Sequence, residues 1–258
     1  MSEYTTLTLN VTDGRAEIGL NRPDSLNAIS EAMCAELLDA TAKVQAAKDV
    51  RAVIIYGHGR MFSAGGDLKA VPSGEADEVL ENIYKPALMA VLECRVPVIA
   101  AIHGAAVGIA SALAMSCDLV VMADDAYLSA PFVGLGLIPD GGISWHLRHR
   151  LGKHRATEVI LHGHRLSAAE CHEVRIANVL VDEGQVLLRA RAWANDIVAL
   201  PPLAVEAAKA ALAFADTNGL QESMSFEARL LKTLAASVDA QEGIAAFKEK
   251  RKPIVKGR

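Results

Sequence analysis

Residues 136–142 read GLIPDGG and set one carboxylate, Asp140, between a proline and two glycines. An acid at such a rigid turn has two chemical uses. It can accept a backbone N–H at the start of a helix, or it can take and return a proton in an active site. Two other stretches offer backbone chemistry. FSAGGDLK, residues 62–69, puts Gly65 and Gly66 behind a strand-like run, where N–H groups can face a ligand. HGAAVGIASALAMSCD, residues 103–118, puts Gly108 at a strand-to-helix turn. The N–H groups of Gly108, Ile109 and Ala110 then fall in a first helical turn, where they lack intrahelical partners and suit an oxyanion. Each stretch alone also reads as plain architecture: a glycine turn, a small-residue helix made for tight packing, a capped helix.

Other chemistries find no support. Ser111 lies in GIASA, not in a GxSxG elbow. The chain has no GxGxxG, no Walker A sequence, no HExxH and no Cys/His set at zinc spacing, so neither a nucleotide cofactor nor a metal is expected. A net charge of −5 without a basic stripe argues against nucleic acid. No run of 18 apolar residues occurs, so no membrane span is expected. Residues 1–10 are polar and alternating, unlike a leader. Four cysteines without a CxxC read as free thiols of a reducing, cytoplasmic compartment.

The elements that must position these groups follow from periodicity. Hydrophobic residues make up 52% of the 258 residues but aromatics only 4%, so the core must be Ala, Val, Leu and Ile. Residues 6–11 and 15–21 read as a hairpin around Asp13-Gly14. Ser30 caps a helix that runs toward Lys48. Strands at residues 51–57, 96–102 and 119–123 alternate with helices at 78–94 and 107–117, the pattern of an α/β fold with mainly parallel strands. One or two helices are expected over 145–164, then a helix and strand, then helices at 184–200, 202–218, 220–237 and 239–250. The chain divides into a core over 1–200 and a helical C-terminal region over 201–258.

In combination these stretches resemble the enoyl-CoA hydratase/isomerase, or crotonase, superfamily. The resemblance runs through NRPDSLNAIS, FSAGGDLK, PVIAAIHGAAVGIASALAMSCDLVVM, LGLIPDGGISWHLRHRLG, GHRLSAAE and EGIAAFKEKRKP, nearly the whole chain. The GLIPDGG…W form is most similar to ring-epoxide isomerases of phenylacetyl-CoA catabolism and related enoyl-CoA isomerases. The resemblance implies a spiral of ββα units with a helical C-terminal trimerisation region, trimers often paired into hexamers, and an acyl-CoA thioester substrate, the coenzyme A being part of that substrate. It implies an oxyanion hole from the N–H groups of Gly66 and Ile109. Coenzyme A contacts map onto Ser25, Leu26 and Ala28, onto Ala64, Gly66, Asp67 and Leu68, and onto Lys250 near the C-terminus. Asp24 stands where a basic residue is common.

The chain departs from the family's hydratases at both acid positions. One glutamate position holds Ala112 and the other Phe132. Adding water needs groups to hold and deprotonate it, whereas moving a proton from one carbon to another needs one base. Asp140 sits where some family isomerases and a related dehalogenase branch place their carboxylate. Phe132, Val133 and Ile138 are expected to surround it and raise its pKa. Met61, Val71 and residues 75–88 are expected to shape the acyl pocket. The reading is therefore an acyl-CoA isomerase that works through a thioester enolate. Two alternatives stay open: a hydratase with relocated acids such as Glu81 or Glu93, and a non-catalytic acyl-CoA-binding protein.

Overall fold

The computed structural model describes residues 4–67 and 74–257. The hairpin is present as β1 (Leu7–Thr12) and β2 (Arg15–Leu20), paired antiparallel across the Asp13-Gly14 turn. Helix α1 (Glu31–Ala46) starts where the Ser30 side chain accepts the Met33 N–H. Strand β3 (Ala52–Gly57) follows. The next helical stretch comes in three parts: α2 (Ala76–Val79), a π-turn (Leu80–Tyr84) and α3 (Lys85–Leu92). Then come β4 (Val98–Ile102), β5 (Ala105–Val107), α4 (Ile109–Met115), β6 (Leu119–Ala123) and β7 (Tyr127–Ser129).

The second half holds α5 (Ile143–His162), β8 (Leu166–Ser167), α6 (Ala168–Glu173) and β9 (Val179–Val181). It ends in α7 (Val186–Val198), α8 (Pro202–Ala215), α9 (Leu220–Ala235) and α10 (Val238–Glu249). Helix α5 breaks at Gly152, which has φ 72° and ψ 173°, so of the one or two helices expected here two form, joined across a kink.

Six strands form one sheet in the order β1-β2-β3-β4-β6-β9, parallel from β2 onward. The runs AVIIYG, VIAAI and LVVMA are apolar at nearly every position because helices cover both faces. Helices α1 and α3 pack on each other, and α7 lies along β3, β4 and β6. Helix α7 approaches closely through Ala190 and Ala194, both fully buried and one turn apart. Its Arg191 reaches the buried Glu17 at 2.7 Å, and Arg15 adds a second contact at 2.8 Å.

A second, three-stranded sheet runs β5-β7-β8. Its short strands lay below the reach of the sequence pattern, and β5 moves one boundary that matters. The helix expected from residue 107 starts at Ile109, because residues 105–107 pair with β7.

Candidate active site

The site is assembled by a short extended segment, residues 63–66, held between two others. On one side Ser63 bridges Ala106 of β5, with Ser63 N–H bonding Ala105 O at 3.0 Å and Val107 N–H bonding Ser63 O at 3.1 Å. On the other side Gly66 bridges Ile29, with Ile29 N–H bonding Gly65 O at 2.7 Å and Asp67 N–H bonding Ile29 O at 3.1 Å. In that parallel register the Gly66 N–H faces away from Ile29. It has no acceptor among the described residues.

Gly65 is the joint. Its φ is +97°, and a Cβ there would lie 2.5 Å from the Val107 carbonyl oxygen. Only glycine lets the segment close on the chain entering Gly108. Gly108 has φ 56° and ψ −128° and donates its N–H to Ser129 O at 2.7 Å. Ile109 is the first residue of α4. Its N–H likewise meets no acceptor among the described residues, while Ser111 and Ala112 bond back to Gly108. The two expected oxyanion donors therefore leave neighbouring segments. The Ser111 hydroxyl is spent on Ala106 O and Ser129 O, a structural role.

Asp140 does not cap α5. The N-cap is Gly142, with no side-chain hydrogen bond, and Ile143 N–H reaches the Asp140 backbone carbonyl instead. The Asp140 Oδ1 is buried and has no hydrogen-bond partner among the described residues. Burial raises its pKa above the ordinary 3.8, and its own backbone N–H pulls it part of the way back. A buried oxygen without a donor calls for an explanation. A base aimed at a C–H bond supplies one, since carbon offers no hydrogen bond in the resting state.

The surroundings of Asp140 differ from expectation. Ile138 is 80% exposed, and Val133, Leu135 and Leu137 also face outward. With so much of their own surface in solvent, these residues, Ile138 above all, can give the carboxylate little cover. Its apolar floor comes through Gly141, which rests on Ile109, Ala112 and Leu88. A Cβ at Gly141 would approach the Ala112 Cβ to 2.9 Å. Ala112 is fully buried there. Phe132 lies over the oxyanion turn, its ring edge 3.4 Å from a Cβ placed on Gly108. The two usual acid positions are thus packed with carbon.

Of the two acids a relocated mechanism would use, Glu81 pairs with Lys85 and lines the cavity beside Gly141, while Glu93 is exposed beyond the end of α3 and is not part of that lining. This cavity, of about 360 Å³, is lined by the apolar Leu80, Leu88, Met89, Leu92 and Trp145 and, at its polar side, by Glu81, Lys85 and His146.

The segments expected to hold coenzyme A are arranged as follows. Ser25 closes a 3₁₀ turn, and Leu26 is left-handed at φ 54°. Ala28 accepts Arg22 Nη1 at 2.6 Å, and Ala64 N–H bonds Leu26 O at 2.9 Å. Asp67 pairs with Arg22 at 2.8 Å, so this loop carries a basic residue despite Asp24. Lys250 is exposed at the left-handed C-cap of α10. Leu68 and Val71 lie outside the described residues.

Sequence reasoning missed Asn27 as the centre of this loop. It is fully buried at φ 54°, and its Nδ2 reaches His58 O, Met61 O and Phe62 O at 2.8, 2.9 and 3.2 Å. Its Oδ1 accepts Arg22 N–H at 3.0 Å. Asn27→Ala is expected to cost about 2–4 kcal/mol by orphaning these groups. Urea unfolding measures this, and a loss below about 1 kcal/mol would show that the loop holds without it.

The fold and this arrangement define a protein built to meet a thioester, and the comparisons agree. The chain belongs to the enoyl-CoA hydratase/isomerase family, whose model matches residues 11–258. It is 34% identical to a probable enoyl-CoA hydratase of Rhodobacter capsulatus over 99% of both chains. It is 32% identical to the 1,2-epoxyphenylacetyl-CoA isomerase of Escherichia coli, over 96% of this chain and 97% of that one. A solved enoyl-CoA hydratase subunit of Geobacillus kaustophilus superposes with a TM-score of 0.94 at 33% identity, covering both chains fully. Hydratase names outnumber isomerase names among such relatives.

Proposed function

We propose that this protein is an acyl-CoA isomerase that moves a proton between carbons of an enoyl thioester. The observation that carries the reading is the buried Asp140 Oδ1, the one such side-chain oxygen without a partner among the described residues, while the two usual acid positions hold Ala112 and Phe132. The thioester carbonyl would accept the Gly66 and Ile109 N–H groups. Asp140 would take a proton from one carbon, leaving a dienolate whose charge rests on the held oxygen. The same carboxyl would return that proton two carbons away. No water is added, and the coenzyme A leaves with the product. An oxyanion donor is typically worth about 3–4 kcal/mol in such a step, and the positive end of α4 adds to it at Ile109. The cavity beside Gly141 would take an apolar acyl group, and Lys250 with the Ser25–Ala28 and Ala64–Asp67 segments would hold coenzyme A.

The relatives' names favour hydration as the second reading. A direct assay separates the two. The protein is incubated with a 3-enoyl-CoA and, separately, with crotonyl-CoA. A double-bond shift that outpaces hydration supports the isomerase. Hydration that outpaces the shift overturns it.

The reading extends to a homotrimer or a hexamer. Leu220, Met224, Leu231, Ile244 and Phe247 stand exposed on α9 and α10. Leu135, Leu137 and Ile138 stand exposed beside Asp140. A neighbouring subunit would cover such apolar faces. Light scattering at micromolar concentration is expected to give three or six times the 27.3 kDa chain mass. A monomer would refute this extension.

A further inference from the structure

The π-turn between α2 and α3 places a hydroxyl beside Gly66. Pro86 has no N–H, and its ring displaces the carbonyl four residues back. The helix widens in response, and Lys85 N–H bonds Leu80 O, five residues back. Single π-turns of this kind recur at functional sites. The residue that closes this one is Tyr84.

The Tyr84 hydroxyl stands over the bridge between Ile29 and Gly66. It donates to Ile29 O at 3.3 Å, and it lies 3.4 Å from where a Cβ on Gly66 would be. Because Gly66 has no side chain, nothing of that residue stands between the hydroxyl and the backbone that carries the expected oxyanion donor. The bond to Ile29 is long for an O–H···O contact, which usually spans about 2.7–2.8 Å. Nor does Ile29 O depend on it, since the Asp67 N–H already bonds that oxygen at 3.1 Å. The hydroxyl is therefore weakly committed in the resting protein. Burial, with Cys34, Asp140 and Asp67 as lesser contributors, pushes the phenol up to about 12, so it stays a neutral donor at physiological pH.

We propose that the Tyr84 hydroxyl is a further catalytic group of this site, turning from Ile29 O to donate to the thioester oxygen held at Gly66. The proposal rests on the isomerase reading above. The hydroxyl must pass from the Ile29 side of Gly66 toward the side its N–H faces, and one long hydrogen bond is what holds it at rest. The resting acceptor is an amide carbonyl, whereas an enolate oxygen is charged and binds a donor more strongly. The donor's value is thus greatest in the transition state, where it raises the rate rather than the affinity.

The test compares wild type, Tyr84→Phe and Asp140→Asn on one 3-enoyl-CoA, following turnover and deuterium uptake from solvent. Tyr84→Phe is expected to lower kcat about 100-fold, the loss typical of one oxyanion donor. KM is expected to hold within about threefold, since ground-state binding is untouched. A second readout is binding of acetoacetyl-CoA as its enolate against binding of butyryl-CoA. The variant is expected to weaken the first about tenfold and to leave the second unchanged. Tyr84→Phe with turnover within about twofold of wild type, or with a loss confined to KM, would overturn the proposal while Asp140→Asn stays inactive. If the wild type itself shows neither turnover nor deuterium uptake, the isomerase reading fails, and the role of Tyr84 falls with it.

Discussion

Asp140→Asn is expected to lose about 10²–10⁴-fold in double-bond migration and in deuterium uptake at the α and γ carbons, the usual contribution of a positioned acid–base. The amide keeps the size of the side chain but cannot accept a proton. Binding of a saturated acyl-CoA should survive, because the Gly66 and Ile109 N–H groups are backbone and the substitution does not remove them. NMR in deuterated buffer measures the exchange directly. A folded Asp140→Asn protein with full exchange would remove Asp140 from the chemistry. Wild-type protein that binds acyl-CoA without any exchange would instead make the chain a non-catalytic binder.

The raised pKa of Asp140 gives two further signs to check. The base form is needed for proton removal, so turnover should fall as pH drops through the folded-state pKa. That limb should lie above the ordinary carboxylate value of 3.8. Stability runs the other way. Folding favours the protonated form of a carboxyl whose pKa is raised, so its benefit is full below the unfolded pKa and is lost as pH rises through the folded one. At neutral pH the ionised Asp140 is a cost. Asp140→Asn should therefore melt higher than wild type near neutrality, by about 2–4 °C for each kcal/mol relieved, and the gap should close in acid. A variant that is both inactive and less stable at neutral pH would indicate that Asp140 is structural.

Gly65→Ala carries the second large effect. The new methyl would sit 2.5 Å from the Val107 carbonyl oxygen and 3.8 Å from Gly108 Cα, on a backbone at φ +97°. Overpacking costs about 1–3 kcal/mol, and a left-handed conformation for a residue with a side chain adds about 1–3 kcal/mol. Together these take a large share of a typical folding stability of about 5–15 kcal/mol. What remains folded must pry residues 63–66 away from β5, which separates the Gly66 and Ile109 N–H groups. Turnover should fall on the order of 10²–10³-fold, as when one oxyanion donor is lost. Thermal melts with steady-state kinetics at a temperature where the variant is folded separate the two losses. Full turnover in stably folded Gly65→Ala protein would show that the joint does not set the donor geometry.

Much of this was legible in the chain itself. Periodicity placed β3, β4 and β6, because strands buried on both faces must be apolar throughout. Ser30 announced the start of α1, and Ala112 and Phe132 announced that two carboxylates were absent. Asp140 could be named but not assigned. A proline and two glycines read alike whether the acid caps a helix or faces a pocket, and only the structure, with Gly142 at the cap of α5, removes the capping role.

The sequence by itself determined the longer elements, their order and the residue types available for chemistry, because those depend on local pattern and on each side chain. Only the tertiary structure decided which backbone groups converge. The bridges of residues 63–66 to Ile29 and to Ala106 join segments far apart in the chain, and no local pattern encodes such a register. The same holds for Ile138, an apolar residue that faces solvent, and for Tyr84, which Pro86 turns over Gly66. Their positions follow from how strands and helices close on one another, and packing is a property of the whole chain.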